Sequence, residues 1–151
     1  MLLGKSYNTL DAQRRVTIPK HLRLEFGTNG VLTRGLDGGL FLFPVSYWER
    51  FLTNLRQQPF TQKRSRDFWR LLVNDAYEVE PDALGRVTVS EHLSDLGGFD
   101  KNVVVVGSLE YIEIWDRDRY HAYLDGLGDQ AEEIAESLVW KESDAHSSTL
   151  L

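Results

Sequence analysis

The chain has 151 residues, 42% of them apolar and 26% charged, enough for one domain with a real core or two small units sharing one. It contains no cysteine, which excludes disulfides, thiolate nucleophiles and cysteine-ligated zinc and suits a reducing compartment. The net charge of −6 hides a division: residues 1–74 hold 12 Lys/Arg against 5 Asp/Glu, and residues 75–151 hold 5 against 18, so the first half attracts polyanions and the second repels them.

The opening "MLLGKSYNTL" has no long apolar core or cleavage-like site, and no run approaches the roughly 20 apolar residues that span a bilayer. A cytoplasmic protein without a membrane partner is the expectation. "YNTL" and "RVTIP" read as short strands around a polar four-residue turn. "PKHLRLEFG" follows as a short helix, with Pro19 suited to its first turn and Gly27 to its stop. "GVLTRG" and "LFLFP" are strands around the turn-rich "LDGG", and Ser46 with Glu49 reads as a capping box opening the helix "YWERFLTNL". "TQKRSRDFWRLLVNDA" is expected as a linking helix, with Phe68, Leu71 and Leu72 on its apolar face and a basic opposite face.

The second half repeats the order. "YEVE" and "RVTVS" flank a turn, and "SEHLSDLGG" is a short helix with Ser90 as N-cap and Gly97 as stop. "NVVVVG" and "YIEIW" are strands, and Asp116 caps "RDRYHAYL". "GDQAEEIAESLVWKE" reads as an acidic amphipathic helix carrying Ala131, Ile134, Ala135 and Leu138, and "SDAHSSTLL" as a frayed tail. The correspondence is sharpest between "LDAQRRVTIPKHL" (10–22) and "PDALGRVTVSEHL" (81–93), where seven of thirteen positions are identical. Four short strands and a small helix close little core alone. Two such units can pair about a pseudo-twofold, each supplying strands to one shared barrel-like sheet.

The paired D-x-x-x-R motifs, Asp11–Arg15 and Asp82–Arg86, each followed by a Val-Thr-Ile/Val strand, resemble the MraZ family over roughly residues 1–125, including "VVVVGSLEYIEIWD". The resemblance implies an α+β fold of two tandem AbrB-like swapped-hairpin repeats forming a pseudo-twofold β-barrel with flanking short helices. It also implies rings of subunits, sequence-specific binding to short promoter repeats of the division and cell-wall gene cluster, and association with the nucleoid. The chain would divide into a basic first repeat (1–56), a linking helix (57–75), an acidic second repeat (76–125) and an acidic C-terminal helix and tail (126–151). The family's usual first motif is D-x-K-G-R, where this chain has D-A-Q-R-R. Arg14 thus stands at the glycine position, and pays a steric cost if that turn needs φ > 0.

In such a turn the aspartate accepts backbone N–H bonds and braces the arginine four residues on. The two pairs therefore either staple their turns or stand beside DNA contacts. Around the first, Lys5, Arg14, Arg15, Lys20 and Arg23 can neutralise phosphates or read guanine edges. Around the second lie Glu78, Glu80, Glu91 and Asp95, so the sequence assigns DNA reading to the first repeat and a structural role to Arg86. Lys63, Arg64, Arg66 and Arg70 read as a solvated face or a partner for the acidic helix of a neighbouring subunit. His21 and His92 match across the repeats but lack a second ligand at helical spacing, which favours packing over metal. Trp48, Trp69, Trp115 and Trp140 read as core or subunit interface.

The leading function is a non-enzymatic regulator binding double-stranded promoter DNA as a homo-oligomer, with no cofactor, metal or small-molecule substrate. An AbrB-type antitoxin and a ring-forming interaction scaffold are the alternatives. The chain carries no G-x-S-x-G, Gly-rich phosphate loop or His/Asp/Glu cluster with ligand spacing.

Overall fold

The computed structural model describes residues 1–139; Trp140 and the tail expected to fray lie outside them. Two units are distinguished, residues 1–120 and residues from His121 onward. In the first, the elements run β1 (Lys5–Thr9), β2 (Arg15–Thr17), α1 (Lys20–Phe26), β3 (Gly30–Arg34), β4 (Leu40–Pro44), α2 (Val45–Arg56) and α3 (Lys63–Leu72). Then follow β5 (Tyr77–Val79), β6 (Arg86–Thr88), α4 (Glu91–Gly97), β7 (Asn102–Ser108), β8 (Tyr111–Asp116) and the start of α5 (Arg117–Gly128). This is a mixed α+β fold with antiparallel sheets and several short helices.

Two antiparallel sheets form. The larger has the order β1-β7-β8-β4-β3-β5, and β2 pairs with β6 in a separate ribbon. The order is symmetric under exchange of the repeats: β1 lies on β7, β5 on β3, and β4 meets β8 at the centre. Each repeat's first strand is thus hydrogen-bonded to the other repeat's third strand. The sequence suggests one closed, barrel-like sheet. Among the described residues the six-stranded sheet instead stays open, with β1 and β5 at its edges. The ribbon strands pass almost at once into α1 through Pro19 and α4 through Ser90.

One core fills the space between the two sheets. Val16, Ile18, Val87 and Val89 of the ribbon strands and their extensions, with Leu22, Phe26 and Leu93 of α1 and α4, pack on Leu32, Leu40, Leu42, Val103, Val105, Ile112 and Ile114. The alternation of β2 and β6 leaves one face of the ribbon in this core and the other outside. The far face of the large sheet carries α2 and α3. Phe43 stacks near Trp48 and Phe51 of α2, and buried Thr33 donates its hydroxyl to Leu72 O of α3 at 2.6 Å.

Several local readings change. α2 begins at Val45 with Pro44 at its N-cap and no side-chain cap, so Ser46 already lies inside the helix and no capping box forms. The proline ends β4 and turns the chain directly into the helix. Pro19 is likewise the N-cap of α1 and not in its first turn. α4 stops at Gly98, left-handed at φ +64°, one residue after Gly97. In α3 Leu72 is buried and Phe68 half-buried, but Leu71 is exposed. Trp115 is buried, whereas Trp48 and Trp69 are half-buried. Asp116 accepts from Arg119 N at 3.1 Å as the expected cap, and Ser90 accepts from Leu93 N. In the second unit, α6 covers Ala131–Ser137 with no buried residue; Ile134 and Leu138 are exposed.

Candidate nucleic-acid interface

The ribbon's register sets Arg15 opposite Thr88, Val16 opposite Val87 and Thr17 opposite Arg86. Val16 and Val87 face the core, so Arg15, Thr17, Arg86 and Thr88 share the outer face. Arg15 and Arg86 are diagonal neighbours there, with Cα atoms roughly 7–8 Å apart. Two further bonds lengthen the ladder at both ends, Ile18 N to Gly85 O and Val89 N to Arg14 O, each 2.8 Å.

Each strand is entered through an Asp–Arg turn, and the two turns share one bonding scheme. Asp11 Oδ1 accepts from Gln13 N (2.9 Å) and Arg15 N (2.8 Å), while its Oδ2 accepts from Arg15 Nε at 2.7 Å. Asp82 Oδ1 accepts from Leu84 N (3.0 Å) and Arg86 N (2.9 Å), and its Oδ2 from Arg86 Nε at 2.8 Å. The arginine side chains are equally exposed, 29% in both. The amide of Arg15 or Arg86 is the main influence that holds the aspartate below the usual carboxylate range; desolvation opposes it, and the guanidinium adds a smaller lowering. Each carboxylate braces its arginine through Nε; Arg15 Nη2 also donates to Gln13 Oε1 at 3.2 Å, where the second turn has Leu84 in place of Gln13.

The expected hairpin is a corner. The turn bonds Asp11 N to Arg15 O, but β1 then joins the large sheet and β2 the ribbon, and the second repeat does the same. This places each turn against the other repeat. Arg14 Nε donates to Val89 O at 3.3 Å, at the entry to α4. A Cβ built on Gly85 would lie within 2.5 Å of Arg23 Cδ and Cζ, on α1. Sequence neighbours are therefore not spatial neighbours: the acidic helix with Glu91 and Asp95 starts beside the first turn, and the basic helix with Lys20 and Arg23 starts beside the second.

Of the five residues the sequence assigns to DNA, Arg14 and Arg15 lie at the first turn and Arg23 over the second. Lys20 is exposed at the start of α1. Lys5 is separated from Asp11 by roughly 20 Å of extended strand, and its ammonium sits 5.6 Å from the Tyr120 ring. Arg14 has φ +57° and Gly85 φ +80°, so the glycine position does require the left-handed region, and here arginine adopts it. Tyr77 was not picked out from sequence. Its hydroxyl donates to Thr88 O and accepts from Ser90 N, tying the far end of the ribbon to the large sheet, and burial raises its pKa.

The basic residues of α3 are engaged locally. Lys63 and Arg70 pair with Asp67, Arg64 donates to Gln62 Oε1 and Arg66 to Phe60 O. His21 is exposed, and His92 Nε2 lies 3.1 Å from Asp75. Among the described residues no three His, Asp or Glu side chains are placed to hold a metal ion, and no helix is long and apolar enough to cross a membrane.

Two pseudo-equivalent repeats that exchange first strands, with paired Asp–Arg turns at opposite ends of a shared ribbon, define a duplicated α+β protein class. The family model "MraZ protein, putative antitoxin-like" matches twice, over residues 1–71 and 72–139. Proteins named transcriptional regulator MraZ from Moorella thermoacetica and Carboxydothermus hydrogenoformans are 38% and 39% identical over 92% of this chain and 97% of their own length. One from Lactobacillus delbrueckii subsp. bulgaricus is 38% identical over 91% of this chain and 96% of its own. The chain belongs to the MraZ family.

Proposed function

We propose that the chain is a DNA-binding transcriptional regulator whose reading element is the outer face of the β2–β6 ribbon. One observation carries this: two matched Asp–Arg pairs stand on one exposed face of a ribbon whose other face is locked into the core. A two-stranded ribbon fits the major groove, and a guanidinium braced by a carboxylate can present its remaining donors to guanine O6 and N7. Arg14 and Lys20 flank this face and suit phosphates. Lys5 lies outside it.

The exchange of β1 and β5 between repeats supports reading the fold as a swapped-hairpin pseudo-twofold barrel. We keep with it the division into repeats 1–56 and 76–125, a linker 57–75 and an acidic end 126–151. The expected target, from the resemblance of the D-x-x-x-R motifs, is short promoter repeats of the division and cell-wall cluster, with the protein in the cytoplasm and on the nucleoid. Assembly of several copies into a ring would raise avidity by roughly 10²–10⁴ over a single contact. The half-buried aromatics Tyr47, Trp48 and Phe51 on α2 offer apolar area for such contacts. A second reading, antitoxin, is favoured by the family description and by Glu132, Glu133 and Glu136, which suit a basic partner.

The test is a gel shift with DNA from upstream of the chain's own gene. Binding should fall steeply with salt and disappear in Arg14→Ala/Arg15→Ala while circular dichroism stays native. A double variant that binds like the wild type would remove the ribbon from the account. A tight basic protein partner without DNA binding at low salt would favour the alternative.

A further inference from the structure

The repeats align without a gap from Arg15 to Phe26 and from Arg86 to Gly97, so Arg14 corresponds to Gly85 and Arg23 to Ser94. The two substitutions are complementary. Where the turn carries arginine, the opposite repeat's helix carries a buried serine, Ser94; where the turn carries glycine, the opposite helix carries arginine. Gly85 is buried beneath the Arg23 side chain, whereas Arg14 at the equivalent place is exposed. Arg23 Nε is also the one buried side-chain polar atom among the described residues without a hydrogen-bond partner. Such a group is costly unless something outside the chain, or the placement of the rest of the side chain, repays it.

We infer that Arg23 serves the turn of the opposite repeat: its guanidinium supplies at Gly85 what Arg14 supplies at the first turn, so that each end of the ribbon presents two arginines to DNA. The inference rests on the proposed DNA-binding reading and deepens it. The second Asp–Arg turn is then no acidic counterpart of the first. It borrows its second cation from α1, and the borrowed side chain needs the space that only a glycine leaves. An arginine at residue 85 would compete with Arg23 for that space. Without Arg23, it could take the conformation Arg14 already adopts at φ +57°.

The experiment measures anisotropy of a fluorescein-labelled duplex from upstream of the chain's own gene, over a salt series, with thermal melting of each variant. Wild type and Arg15→Ala are run first, because a wild type that binds without salt dependence or without need of Arg15 sinks the functional reading itself. Arg23→Met keeps the packing stem and removes the charge. It should fold, bind several-fold more weakly and lower the slope of log affinity against log salt by about 0.9. Gly85→Arg alone should melt earlier and bind poorly. Gly85→Arg with Arg23→Ser gives the second turn the arginine–serine pairing of Arg14 with Ser94, and should recover both the melting temperature and the slope. A folded Arg23→Met with wild-type affinity and slope would overturn the inference, as would a double variant no better than Gly85→Arg alone. Melting gives a check independent of DNA. Gly85→Ala should destabilise the wild type clearly more than the Arg23→Ser background, and equal losses in the two would count against any interplay between these positions.

Discussion

At Asp11–Arg15 the chain turns through an exposed arginine at φ +57° and leans on the entry to α4; at Asp82–Arg86 it turns through a buried glycine at φ +80° beneath Arg23 of α1. The three bonds to each aspartate side chain agree to within 0.1 Å. The surroundings differ, and they differ crosswise: the turn from the basic half meets the acidic helix, and the turn from the acidic half meets the basic one. Charge along the chain is therefore a poor guide to charge around a turn when repeats exchange strands. Basic residues of the first repeat stand at both ends of the ribbon, Arg14 and Arg15 at one and Arg23 of α1 at the other.

The comparison predicts parallel behaviour. Arg15→Ala and Arg86→Ala should each cost about 1–3 kcal/mol of DNA binding, and the double variant should lose specific binding. A large effect from one alone would break the equivalence. Val16→Ala and Val87→Ala, which face each other across the ribbon, should each lower stability by about 2 kcal/mol in chemical denaturation. Unequal losses would mean that one strand rests more firmly on the core.

Backbone conformation gives a smaller, asymmetric effect. Gly85→Ala should destabilise by about 1–2 kcal/mol, because a Cβ there is strained and meets Arg23. Arg14→Gly should leave the melting temperature nearly unchanged. Relief of a left-handed arginine, about 1 kcal/mol, is offset by loss of the Arg14–Val89 hydrogen bond. The smallest effect is in pH. Both aspartates have folded pKa values lowered from 3.8, so their contribution is present above the unfolded value and lost as pH falls through the folded one. Asp11→Asn and Asp82→Asn should each flatten the acid limb of the stability profile below about pH 4, by similar amounts.

Much of the fold was legible. All eight strands are found, although β1 begins at Lys5, two residues before the "YNTL" run, and the repeat was plain from the shared D-A-x-x-R-V-T pattern. What could not be read was partnership. A strand's periodicity says which face is buried but not which strand lies beside it, so β1 and β2 passed for a hairpin although each joins a different sheet. Ser46 failed as a cap because Pro44 had already set the helix entry. The site was half legible. Arg14 and Arg15 stand at the turn where the sequence puts them, whereas Arg23, read with the same turn, lies over the other one. The signal that could have corrected this was in the repeat alignment: arginine alternates between turn and helix, Arg14 with Ser94 and Gly85 with Arg23.

The most direct measurement is the salt dependence of DNA affinity for Arg15→Gln and Arg86→Gln side by side, with both variants verified as folded. A ribbon read from both ends predicts a comparable loss of affinity in both and a comparable change of slope. Wild-type affinity and slope in Arg86→Gln, with loss confined to Arg15→Gln, would contradict it and return DNA reading to the first repeat alone.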